Sequence, residues 1–147
     1  NKYRVEPTAI LVSKLNPVTK RVWWPDIKDE NAAICSTEFM QFVPIQKEHR
    51  AFLMSLVESE PFQQGILQRV TGSTGSRQRA QPKEVAVLNV VLPTFELLEQ
   101  FSSIATPIYV TSSKNIGVNE SLAALRDLLL PRLLSGEVSE ITEELGL

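Results

Sequence analysis

The chain has 147 residues, 43% hydrophobic and 22% charged, with a formal net charge of −2 at pH 7. That is enough for one domain with a real core plus one appended element, in the ordinary range of a soluble globular protein. Ser, Asn and Gly interrupt every apolar run before it is long enough to cross a bilayer, and no signal peptide opens the chain.

The lone cysteine, Cys35, excludes an internal disulfide and suits a reducing cytosol. The first residue is Asn1, inside what reads as a charged connection, so the N-terminal part of the domain is expected to lie outside this sequence. The net charge hides an asymmetry. Residues 1–83 carry 12 Lys and Arg against 8 Asp and Glu, whereas residues 84–147 carry 3 against 9. A basic globular part and an acidic helical part call for different partners.

The first section reads as β-rich. Thr8–Ser13 is a β-branched apolar run closed by the Asn16-Pro17 turn signal, and Arg21–Trp24 is ended by Pro25-Asp26. Asp26–Asn31 reads as a polar turn, and Ala32–Cys35 and Glu38–Val43 as two further strands separated by a bulge or tight turn at Ser36-Thr37. Helical spacing then takes over. In Glu48–Glu58, Phe52, Leu53, Leu56 and Val57 share a face; Ser59 is positioned as an N-cap with Pro61 in the first turn, and Phe62, Ile66, Leu67 and Val70 supply the next buried side. A loop over residues 71–81 follows, and Leu88–Leu92 reads as a short strand stopped by Pro93.

From Thr94 the apolar residues Phe101, Ile104, Ile108, Val118, Leu122, Leu125 and Leu129 fit a heptad, with Thr111 and Asn115 on the same seam, where polar residues fix register at some cost in pairing strength. Pro107 is expected to kink this helix, Gly117 to weaken it, Pro131 to end or bend it, and Gly136 to end the turn that follows. One helix over residues 94–130 is about 55 Å long, more than a small domain is wide, so its seam needs a helix from elsewhere. Residues 140–145 form a short terminal helix or fray.

Catalysis finds little footing in these residues. The single histidine, His49, lies in the polar run Gln46–Arg50, and one Cys with one His argues against a zinc site. The glycine-rich stretch lacks the Gly-Lys-Ser/Thr ending of a nucleotide-phosphate loop. No catalytic residue, metal or cofactor is therefore expected. Thr71–Arg79 has a use without catalysis: two glycines admit a close-approaching anion, Ser73, Thr74 and Ser76 offer hydroxyls, and Arg77 and Arg79 offer forked cationic donors. Next to Lys20-Arg21, the pair Trp23-Trp24 offers one ring to the core and one to the surface.

Taken in order, Val12–Pro17 with Trp23-Trp24, Cys35–Phe39, Thr71–Arg77, Pro82-Lys83 and the run Leu122–Glu137 resemble the DNA-specificity subunit of type I restriction-modification systems, over nearly the whole chain. The resemblance implies an α+β architecture: a small β-rich target recognition domain with flanking helices over residues 1–93, a long spacer helix over 94–136, and a tail over 137–147. It implies a non-catalytic subunit that reads one half of a bipartite target in double-stranded DNA. Such a subunit directs modification (methyltransferase) subunits and, through the complex, restriction subunits. Its spacer helix pairs antiparallel with that of a second repeat or a homodimer mate. By the same resemblance, Lys14, Lys20, Arg21, Arg77 and Arg79 face DNA with Ser73, Thr74 and Ser76, while Ile108, Asn115, Val118, Leu122, Leu125 and Leu129 serve helix pairing. The family's usual Pro-Pro-Leu-Glu after the strand is Pro93-Thr-Phe-Glu96 here. Two other readings compete: a structural adaptor whose helix is an oligomerisation rod, and a methyltransferase with its own recognition domain. The second requires a cofactor-binding Gly motif and an Asn/Asp-Pro-Pro-aromatic motif, and the sequence has neither.

Overall fold

The computed structural model describes residues 1–71 and 78–136 and is α+β. Two compact units divide at Val110, the first being Asn1–Val110. Within it three small antiparallel sheets form: β1 (Lys2–Arg4) with β4 (Ile34–Ser36); β3 (Val22–Trp23), β2 (Ile10–Ser13) and β5 (Phe39–Phe42) in the order β3-β2-β5; and β6 (Val70–Thr71) with β7 (Arg79–Ala80). A 3-10 turn at Lys47–His49 leads into α1 (Arg50–Glu58), then α2 (Glu60–Leu67), α3 (Pro82–Val85) and α4 (Phe95–Leu134).

Strand β2 organises this unit because it is covered on both faces. Alternation sends Ile10 and Val12 into one apolar cluster with Met40, Met54, Val57, Phe62, Ile66, Ala80 and Val85. Leu11 points the other way, into a smaller cluster with Val5, Ala9 and Cys35. Cys35 is accordingly a buried thiol, and desolvation pushes its pKa up.

Several expectations need correction. The N-terminal residues are not a connection: Lys2, Tyr3 and Arg4 pair with Ser36, Cys35 and Ile34 as β1. In α1 the buried face is Ala51, Met54 and Val57, with Leu53 and Leu56 at its margin; Phe52 instead meets Phe101 edge-on at 6.1 Å. Ser59 occupies the N-cap position of α2 without capping it, since its hydroxyl donates to the Leu56 carbonyl at 2.7 Å. Val70 belongs to β6, not to α2, and the stretch read as one loop begins and ends as a strand pair, Val70 opposite Ala80 and Thr71 opposite Arg79.

Leu88–Leu92 is not a strand. Leu88 packs onto α2 at Gly65, where a Cβ would stand 2.7 Å from Leu88 Cδ2, and none of the described strands pairs with this segment. β-branched composition alone makes no strand without a ladder partner. Pro131 does not end α4, which runs on to Leu134, and α4 also continues through Pro107 and Gly117. A proline withholds its own N–H and crowds the carbonyl one turn before it, yet the next turn closes, with Ser135 N–H bonded to the Pro131 carbonyl at 2.9 Å. Gly136, at φ 80°, then stops the helix as expected. No described helix is long and apolar enough to cross a membrane.

Candidate functional site

The turn after β2 brings the cationic candidates together. Asn16 adopts φ 47°, a left-handed conformation that Asn tolerates, and its carbonyl accepts the Thr19 N–H at 3.0 Å. Ser13 Oγ accepts the Leu15 N–H at 3.3 Å and donates to the Leu15 carbonyl at 3.2 Å. So shaped, the turn docks on β7. Leu15 bridges to Arg79, Asn16 N–H donates to the Gln78 carbonyl at 2.9 Å, and Ala80 N–H donates to the Lys14 carbonyl at 2.9 Å. On the other flank, Ser13 N–H bonds the Arg21 carbonyl at 3.0 Å, and the Arg21 guanidinium reaches the Leu15 carbonyl at 3.4 Å. The backbones of Lys14 and Arg21 thus meet that of Arg79, distant in sequence, around the turn after β2.

Arg79 is already engaged. Its Nε and Nη2 donate to Glu38 Oε2 at 3.0 Å and Oε1 at 3.2 Å, a forked pair that holds the Glu38 carboxyl below the usual carboxylate range. The Glu38 carbonyl also accepts the Lys14 N–H at 2.9 Å. Lys20 sits elsewhere, its ammonium on the carbonyl of Glu58, the last residue of α1, at 3.4 Å, where the partial negative charge of a helix end favours it. Ser73, Thr74, Ser76 and Arg77 lie outside the described residues, as does the 137–147 tail.

The two tryptophans divide as strand alternation requires. Trp23 is 59% exposed and leans on Phe39 at 6.3 Å. Trp24 turns inward, stacked on Tyr109 with ring centroids 5.3 Å apart and with the Arg50 guanidinium 4.2 Å from its ring centroid. Arg50 donates to the carbonyls of Ala9 at 3.0 Å and Pro25 at 2.9 Å, and desolvation pulls its pKa down. The Tyr109 hydroxyl meets Ser55 Oγ at 2.9 Å and donates to Glu58 Oε2 at 3.3 Å. Sequence reasoning passed over Arg50 and Tyr109; the only sign of them was an arginine opening an apolar helix and a tyrosine one residue off the heptad.

One cavity, about 690 Å³, is an apolar groove along β5, α1 and α3, lined by Met40, Phe42, Leu53, Val57, Val85 and Leu88 among others. A smaller one holds Glu48, His49, Glu99, Ser102, Ser103 and Thr106, but His49 rests edge-on to Phe95 at 5.6 Å, and the described residues contain no group of three side chains able to hold a metal ion.

Within the first unit, α4 buries Ser102 and Ala105 and half-buries Tyr109. That face is one residue, roughly 100° of helix rotation, from the heptad positions Phe101, Ile104 and Ile108. The heptad seam is therefore not used up by the domain: Ile108 is 63% exposed. In the second unit, which begins at Thr111, Asn115, Val118, Leu122, Leu125 and Leu129 are all exposed, Leu129 least at 44%. No protein-family model, curated protein or solved structure matches the chain.

Proposed function

We propose that the chain is a DNA-recognition module of the type I specificity kind. In this reading the first unit contacts one half of a bipartite duplex target and the α4 seam pairs with the matching helix of a second repeat or a second copy. The unit catalyses nothing itself; it tells modification and restriction subunits where to act.

The observation that carries the reading is the offset on α4. Packing against the domain takes the Ser102–Ala105–Tyr109 face and, of the heptad positions in this unit, only Phe101 meets it, leaving Ile104 and Ile108 to solvent. Six seam leucines, isoleucines and valines held in water forgo about 1.5 kcal/mol or more each that burial against a helix returns. The meeting of Lys14, Arg21 and Arg79 around the turn after β2 supports the DNA half, because clustered basic residues suit contact with a duplex.

The test is exchange of residues 1–93 for the corresponding segment of a different specificity subunit, followed by sequencing of methylated sites in cells that carry the system. A change in one half of the methylated motif, with spacing kept, is expected. An unchanged motif leaves the adaptor reading, in which the helix pairs and the domain has no nucleic-acid ligand.

A further inference from the structure

We propose that Arg79 reads a base rather than a phosphate, and that Glu38 is the positioning residue that aims it at the O6/N7 edge of a guanine; the inference rests on the DNA-recognition reading above. A guanidinium carries five N–H donors, arranged so that it can make forked contacts along more than one edge. Glu38 takes the Nε–Nη2 edge, at 3.0 and 3.2 Å. The end-on edge, Nη1 with the remaining Nη2 hydrogen, has no described partner, and the side chain is 45% exposed. That edge fits two acceptors side by side, as guanine presents them in the major groove.

Two further features separate base from phosphate. The first is rigidity. Arg79 is fixed by its backbone between Thr71 and Leu15, and Glu38, in the turn before β5, is tied by its carbonyl to Lys14 N–H, so the backbone at both ends of the ion pair is hydrogen-bonded in place. The free edge therefore points in a set direction before any ligand arrives, which is what a base contact needs and a phosphate contact does not. The second is charge. Paired with Glu38, the arginine's charge is largely offset, so it draws a phosphate less strongly than a free guanidinium does. A neutral pair of acceptors does not depend on that charge. Arg21, which forms no ion pair among the described residues, remains the phosphate contact, with Lys14, whose charge also acts on Glu38, beside it.

The test selects duplexes from a randomised DNA pool with the full chain, then titrates salt on the selected duplex. The wild type is expected to fix a guanine at one position. Arg79→Lys, which keeps the charge and the ion pair but loses the fork, should lower discrimination at that guanine by about tenfold or more with the salt slope unchanged. Glu38→Gln should weaken the same preference and steepen the slope by about 0.9, the value of one added phosphate contact, because the released cation is drawn to the backbone. The proposal is overturned if Arg79→Lys keeps the full preference, or if Arg79→Ala flattens the slope and leaves every base preference intact. A wild type that binds no duplex at low salt overturns the DNA-recognition reading itself, and this inference with it.

Discussion

Trp24 lies flat against Tyr109, ring planes 9° from parallel and centroids 5.3 Å apart, joining strand β3's end to the first unit's share of α4. Arg50 covers the indole near the Tyr109 stack and is anchored by two main-chain carbonyls. Trp24→Ala is expected to lower stability by about 3 kcal/mol, through lost aromatic contact and an arginine left over a void. Trp23→Ala, at an exposed ring, should lower it by less than about 1 kcal/mol. Urea denaturation of the two variants checks the contrast, and equal losses would remove the assignment of Trp24 as the inner ring.

The hydroxyl of Tyr109 makes a separate contribution. Burial first, then Glu58, raises its pKa, against a lowering by the hydrogen bond with Ser55. A raised pKa in the folded state means that its contribution is fully present below the ordinary phenol range and is lost as the pH rises through the raised value. Tyr109→Phe should therefore cost about 1 kcal/mol at neutral pH. The variant should also show a shallower loss of stability above pH 10 than the wild type, as followed by alkaline denaturation.

Ile66 is 1% exposed and sits where α2, α1 and β2 meet. Ile66→Ala should destabilise the first unit by about 3 kcal/mol, the transfer term plus an unfilled cavity. A loss below 1 kcal/mol in denaturant titration would mean that the two-faced packing around β2 is looser than described.

Acid should weaken the link between Glu38 and Arg79. The arginine's hydrogen bonds hold the Glu38 carboxyl below its usual range, so the pair's contribution is complete above the ordinary carboxylate value and disappears as the pH falls through the lowered one. Both side chains reach solvent, so the effect is small. Wild type and Glu38→Gln should differ in stability at neutral pH and converge in acid. A constant difference across that range would mean that the ion pair contributes nothing.

Leu125→Asp places a charge in the middle of the exposed seam of the second unit. The unit Asn1–Val110 should keep its melting behaviour while the oligomer or complex loses mass in light scattering. An unaltered mass would count against helix pairing through this seam.

Much of the architecture was legible because it depends on local chemistry. Thr8–Ser13 read as a strand from its β-branched run, the Asn16-Pro17 turn from its residue types, and the division of Trp23 from Trp24 from alternation, though not which of them turned inward. Leu88–Leu92 misled because a strand is a pairing, and composition is silent on the partner. Lys2–Arg4 misled the other way: its polar residues hid a strand whose partner, β4, lies thirty residues on. The 40-residue α4 was predicted as one helix as far as Leu130, but the weight given to Pro131 was too great.

By itself the sequence determined the strand at Thr8–Ser13 and the long C-terminal helix, the charge contrast between its two parts and the heptad along that helix, since each follows from neighbours along the chain. Only the tertiary structure decided which face of α4 the domain takes, and that Arg79 is paired with Glu38 across 41 positions. Those depend on the closing of β7 against the β2 turn, a contact between distant residues whose free energy comes from packing and not from any local signal.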